Sequence, residues 1–180
     1  VAIASNDPSP EVRLTALDAL GSSRAVGDNA AHAAPFLAAF GAPQPHLVSS
    51  ALFRFRGLAR NYPDKPALHA VLRPLLQHAD PGVRGRALEV FASSTERGQE
   101  AVTAALVLPL LDDPNPYARS EAAGALASLR HTPAIHALMT KLDDTERNTY
   151  DIRYTGMTGG NERVHHDGSA WSRVDDAVLR

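Results

Sequence analysis

Apolar residues return at helical spacing in four stretches of the chain, each opened by a proline. The stretch from Pro10 carries Val12, Ala16, Ala19 and Leu20, at i, i+4, i+7 and i+8, which form one stripe of a helix. The stretch from Pro45 carries Leu47, Ala51 and Phe55, and that from Pro81 carries Val83, Ala87, Val90 and Phe91. The stretch from Pro116 carries Ala118, Ala122, Ala125 and Leu126. Shorter, more apolar segments alternate with these, over 31–40, 66–78, 101–111 and 133–142, and they predict a second set of helices. Three of them hold an internal proline before apolar residues, Pro35-Phe-Leu, Pro74-Leu-Leu and Pro109-Leu-Leu. Proline inside a helix removes a hydrogen bond and bends the rod, so a bend is expected at the same point of each unit.

The first set of helices shares a phrase. It reads Pro10-Glu-Val-Arg-Leu-Thr-Ala-Leu17, then Pro45-His-Leu-Val-Ser-Ser-Ala-Leu52, Pro81-Gly-Val-Arg-Gly-Arg-Ala-Leu88 and Pro116-Tyr-Ala-Arg-Ser-Glu-Ala-Ala123. Successive prolines lie 35, 36 and 35 residues apart. A fixed period of this size marks a stacked repeat architecture. Each unit is then a two-helix hairpin that cannot bury its apolar faces alone, and neighbouring units supply the core. Asp7, Asp80 and Asp113 precede the phrase helices as capped turns, and Gly21, Gly57 and Gly98 fall near helix ends.

The run from Asp7 to Gly21, Asp-Pro-x-x-x-Val-Arg-x-x-Ala-x-x-Ala-Leu-Gly, resembles the bacterial HEAT repeat of the type also found in phycobilin lyases. The resemblance covers roughly residues 5–145 and implies an all-α fold. That fold would be a right-handed α-solenoid, an armadillo-like superhelix of about four to five hairpins with the phrase helices on its inner face. It also implies a structural ladder in which Asp7, Asp80 and Asp113 pair with Arg13, Arg84 and Arg119. The second copy departs from the pattern, because Val48 stands where the arginine should be.

Residues 1–145 are thus expected to form the repeat array, and 146–180 a distorted fifth repeat. Tyr150 to Met157 would open its first helix, with Arg153 as a further phrase arginine. A Gly/His-rich loop over 157–169 follows, and helical spacing resumes through Trp171, Val174 and Leu179. The chain has no initiator Met and stops within a helical pattern, as expected of a piece of a longer protein. Apolar surfaces at both ends would favour weak end-to-end self-association.

Charge and composition narrow the function. A net charge of −2 and a pI near 6.5 argue against a nucleic-acid binder, which usually carries a basic stripe. The absence of Cys removes disulfides, thiolate metal sites and a cysteine nucleophile. No apolar run reaches the roughly twenty residues a membrane span needs, and no signal peptide is visible. Only Lys65 and Lys141 are lysines against a majority of arginines, a bias of GC-rich bacterial genomes, and a cytoplasmic bacterial protein is the expectation.

No phosphate-binding glycine loop, nucleophile elbow or paired metal-ligand motif occurs, so no catalytic residue, cofactor or metal is assigned. His165, His166 and Asp167 form one compact group of ligand types, but adjacent side chains rarely aim at one ion. Arg54, Arg56 and Arg86 match no repeating carboxylate. With Glu89, Glu121 and Trp171 they are the candidate partner-binding residues. The leading expectation is a non-catalytic scaffold that binds a protein partner, or another part of its parent chain, on its phrase helices. Two alternatives remain. A lyase-like chaperone would attach or hold a tetrapyrrole or modified client, and a helical-repeat nucleic-acid binder would lose affinity steeply with salt.

Overall fold

The computed structural model describes residues 2–22, 30–141, 147–148, 151–155, 161–165 and 168–169. They fall into two compact units, Val1–Ser94 and Thr95–Arg180. The expected second helix around Trp171 lies outside the described residues, as do His166, Asp167 and both chain ends.

The first unit holds α1 (Ala2–Asn6), α2 (Pro10–Ser22), α3 (Ala30–Phe40), α4 (Pro45–Ala59), α5 (Lys65–Leu72) and α6 (Pro81–Ser93). The phrase helices α2, α4 and α6 pack side by side as one layer, and α1, α3 and α5 line up behind them as a second. Phe36 and Phe40 of α3 meet Phe55 of α4, with ring centroids 5.8 and 5.5 Å apart. His69 of α5 stacks on Phe91 of α6 at 4.2 Å, and its Nε2 lies 3.0 Å from the buried Ser94 hydroxyl. The two layers are therefore joined by aromatic contacts inside an aliphatic core.

The predicted stripes are buried in α4 and α6 but not in α2. Leu47 and Val83, each two residues after its opening proline, are 1% and 0% exposed, whereas Val12 at the same place is 42% exposed. Its stripe partners Ala16, Ala19 and Leu20 are half-buried or exposed, and α2 buries Leu14 and Leu17 instead. Among the described residues, α4 is the phrase helix that packs beside α2.

The second unit holds α7 (Glu100–Val107), α8 (Pro116–Ser128) and α9 (Ile135–Met139). Two of the three internal prolines fall where an α-helix ends. After α5 and α7 the backbone tightens into 3-10 segments, Arg73–Gln77 and Leu108–Asp112, with Pro74 and Pro109 second in each. A proline nitrogen has no hydrogen to donate, and the tighter turn absorbs its ring. Pro35, by contrast, lies within α3.

Past α9 the expectation of a fifth helical repeat fails. The described residues there are strands: β1 (Arg147–Asn148), β2 (Asp151–Thr155), β3 (Asn161–His165) and β4 (Gly168–Ser169). β2 pairs antiparallel with β3, Ile152 opposite Val164 and Arg153 opposite Arg163, and β1 pairs with β4. The physical reason is legible afterwards. Ile152, Tyr154 and Thr155 are β-branched or aromatic, and Gly156, Gly159 and Gly160 lie between the strands. Arg153 is therefore a strand residue and not a fourth phrase arginine.

The turns before the phrase helices revise the expected ladder. Arg13 Nη1 donates to the Asp7 carbonyl at 2.7 Å, Arg84 Nη1 to His78 at 2.8 Å, and Arg119 Nη1 to Asp113 at 2.9 Å. Every one reaches six residues back, to the turn that ends the preceding helix. Asp7 and Asp113 accept from the backbone N–H of Ser9 and Asn115 at 2.9 and 2.8 Å. The residue that does this before α6 is His78, whose Nδ1 accepts from the Asp80 N–H at 3.0 Å. Asp80 sits two places later, as the N-cap, accepting from Gly82 and Val83. Asp80 is thus the counterpart of Ser9 and Asn115, and His78 that of Asp7 and Asp113. The turn before α4 has no side-chain cap at Gln44, and Val48 is buried in the core.

Removing a charged donor from this turn should cost about 1–3 kcal/mol. Arg84→Met is expected to lower the urea midpoint accordingly. His78→Ala should cost about 1 kcal/mol, while His78→Asp, which restores the carboxylate acceptor, should leave stability within about 0.5 kcal/mol of the parent.

Candidate functional site

Asp18, Phe53 and Glu89 each lie eight residues after the proline that opens their helix. Because α2, α4 and α6 stack in one layer, this shared register places the three side chains in a row. The arginines expected to meet a partner gather on that row. Arg54 Nε donates to Asp18 Oδ1 at 2.7 Å, joining α4 to α2. Arg86 Nη1 donates to Glu89 Oε2 at 3.0 Å within α6. Arg56 Nη1 approaches the other oxygen of the same carboxylate, Oε1, from α4 at 3.6 Å.

Phe53 stands at the centre. The guanidinium carbons of Arg86, Arg54 and Arg56 lie 4.7, 5.5 and 5.7 Å from its ring centroid. A ring quadrupole attracts such cations by about 0.5–1 kcal/mol where exposed and about 2 where desolvated. Close approach of the helices makes this possible. A Cβ on Gly21 would lie 3.0 Å from Arg54 Cβ, so glycine there lets α2 come near enough for Asp18 to reach Arg54. Gly21 belongs to α2 itself and is a packing residue, while Gly98, at φ +90°, is the one described glycine in the left-handed region.

Burial divides the cluster. The side chains of Arg86 and Glu89 are 10% and 11% exposed, whereas Arg54 is 32% and Arg56 52% exposed. Arg86 was expected at a partner surface and is instead a buried, ion-paired support. A guanidinium out of water is retained only with a partner carboxylate and hydrogen bonds, which Glu89 supplies. Glu121, five residues after Pro116 as Arg86 is after Pro81, is likewise buried in α8 at 5% exposure. Trp171 lies outside the described residues, and of His165, His166 and Asp167 only the strand position of His165 is described.

Among the described residues no group of three or more His, Cys, Asp or Glu could hold a metal ion. What the arrangement offers is a charged, aromatic-centred surface on stacked helices.

Residues 68–153 match the family model of HEAT repeats. The match runs from α5 through α9 into β2, while the helices that hold Asp18, Phe53, Arg54 and Arg56 lie before it. No curated protein and no solved structure matches the chain. HEAT repeats commonly mediate protein–protein interaction, in keeping with a scaffold of stacked helices. No helix among the described residues is long and apolar enough to cross a membrane.

The register of Asp18, Phe53 and Glu89 was available in the sequence by aligning the phrase copies and following one column beyond the phrase itself. Glu89→Gln is expected to lower stability by about 1–3 kcal/mol, because it weakens the acceptor of a buried guanidinium. Arg56→Gln should change stability by less than about 0.5 kcal/mol, since its pairing is loose and exposed. Paired urea denaturation curves check both.

Proposed function

We propose that this HEAT-repeat protein is a non-catalytic scaffold that binds a protein partner, or another part of its parent chain, on the face formed by its phrase helices. The observation that carries this is the gathering of Arg54, Arg56 and Phe53 on the stacked layer, with Arg86 and Glu89 as buried support. Interaction surfaces favour such a composition, with Arg and aromatic residues enriched and other charges depleted from the centre. In this reading the phrase helices line the inner face of a right-handed array of about four to five hairpins. The protein is of the bacterial, phycobilin-lyase-like subtype and works in the cytoplasm. Weak self-association would use exposed apolar side chains such as Ile3 and Val12, which are 59% and 42% exposed.

A photo-cross-linking residue tests the face. Position 57 suits it, because Gly57 is exposed at the end of α4 and a Cβ there would meet nothing within 4 Å. Position 71 on α5, where Val71 is 41% exposed, serves as the control in the other layer. In extracts of the source cell a discrete protein adduct is expected from position 57 and none from position 71. Adducts from neither position, or the same adducts from both, would overturn the proposal.

A further inference from the structure

We infer that the turn before α6 is a proton-sensitive joint, in which protonation of His78 loosens the start of the helix that carries Arg86 and Glu89. The inference is independent of the proposed partner surface, because it rests on the turn itself.

The first support is the difference between this turn and its two counterparts. In all three, the side chain that opens the turn accepts a backbone N–H two residues on. Asp7 accepts from Ser9 at 2.9 Å, and Asp113 from Asn115 at 2.8 Å. Before α6 the acceptor is His78 Nδ1, which takes the Asp80 N–H at 3.0 Å. A carboxylate has several acceptor sites, whereas a neutral imidazole has one and a protonated imidazole none. A carboxylate ordinarily takes up its proton near about pH 4, an imidazole between about pH 5 and 8. Mild acid therefore distinguishes this turn from the other two.

The second support is the form of the ring that the geometry demands. The Asp80 N–H is directed at Nδ1, so that nitrogen holds a lone pair and the ring proton lies on Nε2. A second proton would go to Nδ1 itself and set two donors against each other. The folded turn therefore needs the neutral ring, and the unfolded chain does not. Stability drawn from this bond is present where the imidazole is neutral and is lost as pH falls.

The third support is what surrounds the ring. Arg84 of α6 donates to the His78 carbonyl at 2.8 Å and to that of Ala79 at 3.0 Å, so a guanidinium is already bonded into this turn. The first N–H groups of α6 add a partial positive charge. Arg73, on the 3-10 segment leading into the turn, is exposed. The counter-charge is the Asp80 carboxylate, whose Oδ1 caps α6 through the Gly82 and Val83 N–H groups. On α5, Lys65 donates to carbonyls at the end of α4, and His69 stacks on Phe91. Protonating His78 thus removes an acceptor and adds a cation in one step, five residues before the fully buried Val83.

The test is urea unfolding of the 180-residue chain at about pH 7.5 and about pH 5.5, on either side of the ordinary imidazole titration. The parent is compared with His78→Asp and His78→Asn, whose side-chain oxygens accept at both values. Going to the lower pH should raise the unfolding equilibrium constant of the parent roughly threefold more than that of either variant. His136→Gln, which removes an exposed imidazole on α9, should keep the pH dependence of the parent. In amide NMR spectra of the parent, the Asp80 signal should move with the same midpoint as the His78 ring. The neutral His78→Asn keeps the comparison valid if the charge added by His78→Asp disturbs the turn. Equal pH dependence in the parent and in His78→Asn would overturn the inference. So would an Asp80 amide that does not follow the His78 ring. A loss of pH dependence in His136→Gln as large as in the His78 variants would also overturn it, because a general charge effect would then be at work.

Discussion

α4 cannot exist as it does without helices on three sides. Leu47, Val48, Ala51, Leu52, Phe55 and Ala59 are all buried, a surface too wide for one partner helix to cover. α2 and α6 flank it within the layer and α3 lies behind it. Burying the four larger of these, Leu47, Val48, Leu52 and Phe55, stabilises the fold by about 1.5–3 kcal/mol each, against a net stability of about 5–15 kcal/mol for a whole domain. The stacked burial is therefore the constraint that everything else obeys. It forces neighbouring phrase helices into register, and register is what turns three separate positions, Asp18, Phe53 and Glu89, into one row. Among the described residues the phrase helices differ in how far their stripes are covered, with Val12 of α2 open where Leu47 and Val83 are sealed.

The turns carry a second, smaller layer of specification. An arginine three residues into the helix donates back to carbonyls of the turn, and a side-chain acceptor at the start of the turn takes a backbone N–H. Both devices satisfy backbone groups left without partners where one helix stops and the next begins. The acceptor can be a carboxylate or an imidazole nitrogen, and in the turn before α4 neither device is present. That turn relies on the packing of α3 against α4, with Phe36, Phe40 and Tyr62 around Phe55.

Helix positions were readable because the signal is redundant. Four proline-opened copies agree on where α2, α4, α6 and α8 begin, and Pro74 and Pro109 mark where α5 and α7 give way to tighter turns. Burial of the individual stripe was less readable, since periodicity identifies an apolar face but not whether a neighbour covers it. The hairpin of β2 and β3 was misread for a related reason. The repeat period placed a helix at residue 150, and Ile152, Tyr154 and Thr155 were fitted to it although their types favour strands. Of the candidate site, Arg54, Arg56, Arg86 and Glu89 were identified and do come together. Phe53 and Asp18, which organise them, were passed over because neither belongs to the phrase. Arg86 and Glu121 show the remaining gap, as a charged residue in a helix carries no mark of whether it faces water or a buried partner.

The proposed function rests on these positions. Arg86 and Glu89 stiffen the row from beneath, Phe53 supplies a flat surface, and Arg54 and Arg56 present charge to solvent. If burial sets this register, Asp18 of α2 and Arg54 of α4 are brought together across that row. A double-mutant cycle combining Asp18→Asn and Arg54→Gln, read as unfolding free energy in urea, measures this contact. It should show a coupling of about 0.5–1 kcal/mol, appropriate to a short ion pair that is partly exposed. Strict additivity of the two substitutions would contradict the pairing of Asp18 with Arg54 as a contact that helps hold α2 to α4.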